Sequence, residues 1–187
     1  YETYQKILSQ AVNELRQEEF ASLYEQQLSE GSIQGIGGYV DECQVESDIP
    51  MSFSEEYVPT STERMLLYRE LDSLEKEEDV QRFRGRMADR FGTIPPEGEE
   101  LIRVVTLRRL GRRLACERMV LKGGRLRMYF ISNSDSPFYQ GETFGRIISF
   151  AAANAHICRL EEKAGRRSLL IAEVPSVETA VSILSRI

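Results

Sequence analysis

The segment "RMADRFGTIPPE", residues 86 to 97, limits what this chain can become more than any other. Gly92 suits a left-handed residue that stops a helix. Pro95 fits the first turn of a following helix, where its missing N–H costs nothing. Two helices must therefore meet at a sharp joint. The flanking patterns agree: "EEDVQRFRGRMADRF" has helical periodicity before the joint, and "PPEGEELIRVVTLRRLGRRLA" has it after.

Upstream of the joint, Tyr4, Ile7, Leu8, Ala11, Val12 and Leu15 recur at three and four, as on a helix with one buried stripe. That pattern runs on through Tyr24 and Leu28. Four glycines in "GSIQGIGGYVDE" then predict a mobile loop, and "CQVESD" predicts a single short strand. "IPMSFSEEYVPTSTE" is an extended connector, because each proline pushes the residue before it out of the helical basin. Thr60 with Glu63 three positions on has the spacing of a capping box and opens a helix through about Leu74.

Downstream, Gly123-Gly124 splits two β-rich runs in "CERMVLKGGRLRMYFIS", a hairpin signal. "SPFYQGETFGRIISFAAANA" is expected to be one helix. "HICRLEEKAGRRSLLIAEV" is expected to be a second hairpin turning near Ala164-Gly165. A last helix begins near Ser176 and buries Val177, Ala180, Val181, Leu184 and Ile187. Helices come first and hairpins later, so the expected class is α+β: N-terminal helices and a largely antiparallel sheet built from two hairpins flanked by helices. The expected division is residues 1–40, a linking helix and glycine-rich loop, and residues 41–187, an α+β domain.

Charge is divided unevenly along the chain. Residues 1–100 hold 9 Lys and Arg against 23 Asp and Glu, residues 101–127 hold 9 against 1, and the remainder balances at 6 against 6. The chain holds no run of about 18 uncharged apolar residues, so nothing in it is expected to span a membrane. Cys43, Cys116 and Cys158 are far apart and in no C-x-x-C pair, which predicts buried, reduced thiols in a cytoplasmic protein. Tyr1 stands directly inside an amphipathic pattern, as expected of a piece of a longer polypeptide.

The residues offer little to chemistry. "GSIQGIGGYV" has the glycines of a phosphate loop without the lysine, the helix or the preceding strand. His156 is the only histidine, expected as a partly buried imidazole, and one His with three scattered Cys cannot assemble a zinc site. Cys158 would share its strand face, yet nothing supplies the third group that a catalytic Cys/His pair needs. The expectation is a fragment that is no enzyme, with no catalytic, cofactor or metal residue of its own. One charged feature remains. Arg108, Arg109, Arg112 and Arg113 fall on one helical arc, opposite Val104, Leu107, Leu110 and Leu114. Such an arc either neutralises phosphates or an acidic partner, or is solvated and paired within the chain.

"YETYQKILSQAVNELR", "DIPMSFSEEYVPTSTERMLLYREL" and above all "MADRFGTIPPE" together resemble the C-terminal domain of the bacterial transcription-repair coupling factors. Tyr4, Ala11 and Glu14 match the stretch that follows the motor. Ile49, Pro50, Tyr57 and the Arg64 to Tyr68 spacing match the connector. Asp89, Arg90, Phe91, Gly92 and Pro95 match the joint.

The resemblance implies a regulatory, autoinhibitory module in an ATP- and Mg-dependent DNA translocase that displaces stalled RNA polymerase and recruits UvrA in nucleotide excision repair. This module docks on the parent's own UvrB-like domain and masks the UvrA-binding surface. In the family, acids on the helix ending in "DRFG" face arginines of the UvrB-like domain, and Asp89 matches one of them. Arg86 stands where the pattern has another acid. Its i, i+3 spacing to Asp89 predicts a pair between the two, and Asp89 is then either an interface acid or an ordinary exposed carboxylate.

Overall fold

The computed structural model describes residues 39–187. The first helix predicted and most of the glycine-rich loop lie outside the described residues. Chain order is β1 (Gln44–Ser47), α1 (Ser61–Ser73), α2 (Glu77–Phe91), α3 (Pro96–Arg113), β2 (Cys116–Lys122), β3 (Arg125–Phe130), α4 (Glu142–Ala153), β4 (Cys158–Lys163), β5 (Arg166–Ile171) and α5 (Val177–Leu184). The strands form one sheet ordered β1-β2-β3-β5-β4. β2 with β3 and β4 with β5 are the two expected hairpins, and β3 with β5 is antiparallel as well. β1 lies parallel to β2. Parallel neighbours need a long crossover, and here that crossover is the whole α1–α3 unit.

The turns follow their residue chemistry. Gly123 and Gly124 both have positive φ, 60° and 70°, as a two-residue hairpin turn of the twisted kind requires. Gly92 has φ 86° and ends α2, and its N–H donates to the Ala88 carbonyl. The next helix starts one residue later than expected: Pro95 is its N-cap in extended conformation and Pro96 takes the first helical position. Thr60 is the N-cap of α1, but its side chain makes no cap bond. Glu63 is drawn away instead by Arg90 of α2, so the capping box does not form. The segment read as one helix divides at Gly141 into a 3-10 turn, Pro137–Gln140, and α4. Pro137 begins that turn and the Ser136 side chain caps it. At α5, Ser176 caps through its hydroxyl, which accepts from the Thr179 N–H.

Two apolar cores result. One face of the sheet, with Met119, Leu121, Leu126, Met128, Phe130, Leu169 and Ile171, is covered by α3, α4 and α5. A second core lies among α1, α2, α3 and the connector, built from Phe53, Tyr57, Val58, Leu71, Val80, Phe83 and Met87. Helix α3 serves both: Ile102 and Val105 enter the helical core, while Leu107, Leu110 and Leu114 enter the sheet core. Its close approach to the sheet depends on Gly111. A Cβ there would stand 2.4 Å from Met119 Cε and 2.7 Å from Cys43 Sγ.

The connector is held by side chains that replace its missing backbone partners. The Tyr57 hydroxyl donates to the Gly92 carbonyl at 2.9 Å, with the Met87 carbonyl 3.2 Å away, and so secures the α2–α3 joint. Tyr68 stacks on Phe53 at 5.4 Å, and its hydroxyl accepts from the Phe53 N–H at 3.0 Å. The Arg64 guanidinium donates to the Val58 carbonyl at 2.7 Å. Glu100 of α3 accepts from the Val177 N–H at 2.7 Å and so caps α5 from outside.

Two substitutions test this account. Tyr57→Phe keeps the ring packing and removes the hydroxyl from two carbonyls. It should lower stability by about 1–2 kcal/mol, read as a shifted urea midpoint at unchanged slope. Gly111→Val should cost about 1–3 kcal/mol by overpacking, whereas Gly85→Ala on α2, where a Cβ meets nothing within 4 Å, should stabilise by up to about 1 kcal/mol.

Candidate functional site

Asp89 lies on the outer side of α2, two residues inside its C-terminal end, and is exposed. Among the described residues it has no ion pair. Arg86 does not pair with it. Its guanidinium reaches across to Glu70 of α1, and Arg90 does the same to Glu63. Both arginines also lie over neighbouring rings, Arg86 over Phe83 at 5.8 Å and Arg90 over Phe91 at 4.9 Å. The i, i+3 expectation fails because α1 packs alongside α2 and places its carboxylates nearer than the helix's own.

Two parallel ion-pair bridges thus mark the α1–α2 seam. Leu66 lies between Glu63 and Glu70 on the same side of α1, by the helical repeat, and is 59% exposed. Met65 beside it is 54% exposed. Leu66 is therefore an exposed apolar side chain beside the ion-paired arginines, while Met65, about 200° round the helix from Glu63, lies away from that seam. Sequence reasoning missed Leu66 and Met65. The available signal was the run Met65-Leu66-Leu67-Tyr68, because four consecutive apolar residues encircle a helix and cannot all face one core. Only the Leu67 and Tyr68 side packs against the helical core.

The arginine arc of α3 is engaged mostly within the chain. Arg108 pairs with Asp72 at the end of α1, 2.6 Å apart, and Arg109 with Glu77 at the start of α2, 3.1 Å apart. Arg113 donates to the Leu184 carbonyl at 3.3 Å. Arg112 is half-buried without a partner among the described residues. Ile102 and Val105 occupy the same arc earlier in the helix and are buried. The arc is thus a seam that changes from apolar packing to ion pairing along its length.

Glu77 is the centre of that seam. Burial works to raise its pKa, but donors from Gln81, Thr106 and Arg109 outweigh it and hold the carboxyl below its ordinary 4.5. Of these, Thr106 Oγ1 stands 3.0 Å from Glu77 Oε2.

His156 is exposed in the turn before β4, while Cys158 is buried, so they form no pair. Cys43, Cys116 and Cys158 are free and buried. Burial, first, and the neighbouring Cys43 push the Cys116 thiol well above its ordinary range, which suits an inert packing group. Among the described residues, no cluster of three or more His, Cys, Asp or Glu could hold a metal ion, and no helix is long and apolar enough to cross a membrane.

The depressed Glu77 pKa makes its stabilisation complete above about pH 4.5, with loss as pH falls through the lower folded-state value. Glu77→Gln should therefore be less stable than the parent chain at neutral pH. The gap should narrow as pH falls below the ordinary carboxylate range and through the lowered folded-state value, as seen in urea titrations at neutral and acid pH.

Comparison with known proteins agrees with this architecture. The chain superposes with a TM-score of 0.59 on a solved structure, the crystal structure of the C-terminal domain of transcription-repair coupling factor. The match covers 78% of this chain and 92% of that one at 12% identity, so it bears on fold alone. A transcription-repair-coupling factor from Rickettsia bellii (strain RML369-C) is 29% identical over 101 residues, 54% of this chain. The match takes in 9% of that relative's length. The pattern of the TRCF domain family covers residues 47–140, from the end of β1 past the helical unit and the first hairpin. With just over half of its length matched, the chain belongs to the TRCF domain family, the domain found in transcription-repair coupling factors.

Proposed function

We propose that this chain is the C-terminal regulatory domain of a transcription-repair coupling factor and works by covering a surface, without catalysing a reaction. In this reading it docks on the UvrB-like domain of its own polypeptide and masks the UvrA-binding surface. Release follows when the ATP-driven motor, acting on DNA at a stalled RNA polymerase, remodels the molecule. The single observation that carries the reading is the outer side of the α1–α2 seam, which leaves Leu66 of α1 and Asp89 of α2 exposed. Asp89 is an acid without an ion pair among the described residues, and Leu66 is an apolar side chain that the domain leaves uncovered. Exposed apolar groups ringed by ion pairs have the anatomy of a docking patch, with a dry centre and a polar rim. Arg86 and Arg90, already bridged to α1, stiffen the patch and need no further ordering on docking.

Each exposed ion pair contributes only about 0.2–1 kcal/mol, so Asp89 alone cannot hold such a contact. Affinity must come chiefly from apolar contact at Leu66. In a titration of the chain against the parent's UvrB-like domain, Asp89→Ala should weaken binding by about two- to fivefold. Leu66→Asp should weaken it by more than about tenfold, and Arg86→Glu, which puts an acid beside Glu70, should disturb the patch and weaken it too. Removing the domain from the full-length parent should increase UvrA capture. Unchanged capture, or a titration insensitive to Leu66 and Asp89 alike, contradicts the reading.

A further inference from the structure

The sheet has a second face. Because side chains alternate along a strand, the register that turns Met119, Met128 and Leu169 toward the helices turns Arg118, Tyr129 and Ser168 the other way. The next outward row across the sheet is Val120, Arg127, Leu170 and Arg159. Among the described residues no helix covers this side. Arg118, Val120, Arg127, Tyr129 and Leu170 are half-exposed, and Lys122, Arg125, Arg159 and Arg166 are exposed.

Tyr129 is the central aromatic, on the middle strand of five. Arg118 from β2 and Arg166 from β5 lean over its ring, at 5.6 and 5.2 Å from the centroid. Their other contacts hold them in place: Arg118 with Glu46 at 2.8 Å, Arg166 with Glu117 at 3.2 Å. Arg127 is fixed by Glu161 at 2.6 Å. The six cations Arg118, Lys122, Arg125, Arg127, Arg159 and Arg166 exceed the three carboxylates Glu46, Glu117 and Glu161. A chain that is acidic overall thus gathers a net positive field on one flat face with an aromatic at its middle.

We propose that this sheet face binds a short segment of single-stranded nucleic acid. A base stacks over Tyr129 and its flanking guanidinium planes, and Arg118, Arg127 and Arg166 take the adjacent phosphates. Three arguments favour this occupant. Five strands about 4.8 Å apart and about 20 Å long give a face of roughly 500 Å², short of the roughly 800 Å² per partner that a stable protein interface needs, yet long enough for a few nucleotides. Planar guanidiniums held by an acid on one edge and a ring below keep free N–H groups in the fork arrangement that matches phosphate oxygens. An open sheet with a central aromatic suits unpaired bases, whose faces are accessible, and not a duplex, whose bases are stacked on each other. The proposal is independent of docking through Asp89 and Leu66, which lie in the helical unit and not on the sheet.

The test is fluorescence anisotropy of the whole chain with a labelled thymidine oligonucleotide of about ten nucleotides, over a salt series from about 20 to 200 mM. Binding should weaken steeply with salt. Replacing Arg118 and Arg166 together by alanine should lower affinity by at least about tenfold and make the log–log salt slope shallower by about 1.4, two phosphates' worth for a single strand. Tyr129→Ala should lower it by about 5- to 100-fold, and Arg112→Ala on α3 should leave it unchanged. Because sheet variants can lose structure, the unmodified chain is also photo-cross-linked to a bromouracil-substituted oligonucleotide. Cross-links should map to β2, β3 and β5. No complex at the lowest salt, or cross-links confined to the helices, would overturn the proposal. So would displacement by polyglutamate as effective as by unlabelled oligonucleotide, since that would mark a face for an acidic protein.

Discussion

Helix α3 is the element on which the rest of the structure depends, because it is packed from two sides by two separate cores. Ile102 and Val105 close the helical core and Leu107, Leu110 and Leu114 close the sheet core, all within 18 residues. Burial of each such side chain contributes about 1.5–3 kcal/mol, so the helix couples two units that would otherwise be joined only by a crossover. Glu100 extends the coupling to α5, and Gly111 allows α3 to lie against β1 and β2. Three-helix unit and sheet are therefore held together through α3.

The polar interactions lie around this spine in a definite order. Where α3 is buried on both sides it carries apolar residues; where it emerges past α1 and α2, the same arc carries arginines that meet Asp72 and Glu77. Acids at the end of one helix and the start of the next converge there with basic residues near the end of α3. Asp72 with Arg108 and Glu77 with Arg109 thus tie the acidic first part of the chain to the basic segment that follows it. Two places stand out for charge left over, the acid Asp89 on α2 and the cation excess on the open sheet face. They carry opposite sign and lie on different units, and so suit different partners.

The α2–α3 joint shows how local and tertiary causes combine. Gly92 and the two prolines set the stop and restart by backbone preference alone. Their orientation is fixed from a distance, by the Tyr57 hydroxyl on the Gly92 and Met87 carbonyls. A ring from the connector thus holds the segment that bears Asp89.

Much of this was legible in the residues. Helical periodicity placed α2 and α3, one glycine pair and an Ala-Gly turn placed the two hairpins, and the order of elements implied an α+β class with a mostly antiparallel sheet. Those features are local, set by side-chain period and by φ preferences a few residues wide. Asp89 was singled out by its family pattern alone, and the structure shows it exposed near the end of α2. Tertiary structure decided the rest, because it depends on which helices become neighbours. Arg86 takes Glu70 and not Asp89, Glu63 takes Arg90 and not the Thr60 cap, and the arginine arc of α3 becomes a seam. Leu66 and Met65 are left outside because α1 can turn only one side to its core. The sequence by itself determined where elements start, stop and turn; packing determined which charges cancel and which remain for other molecules, since Coulomb partners are chosen by distance in space.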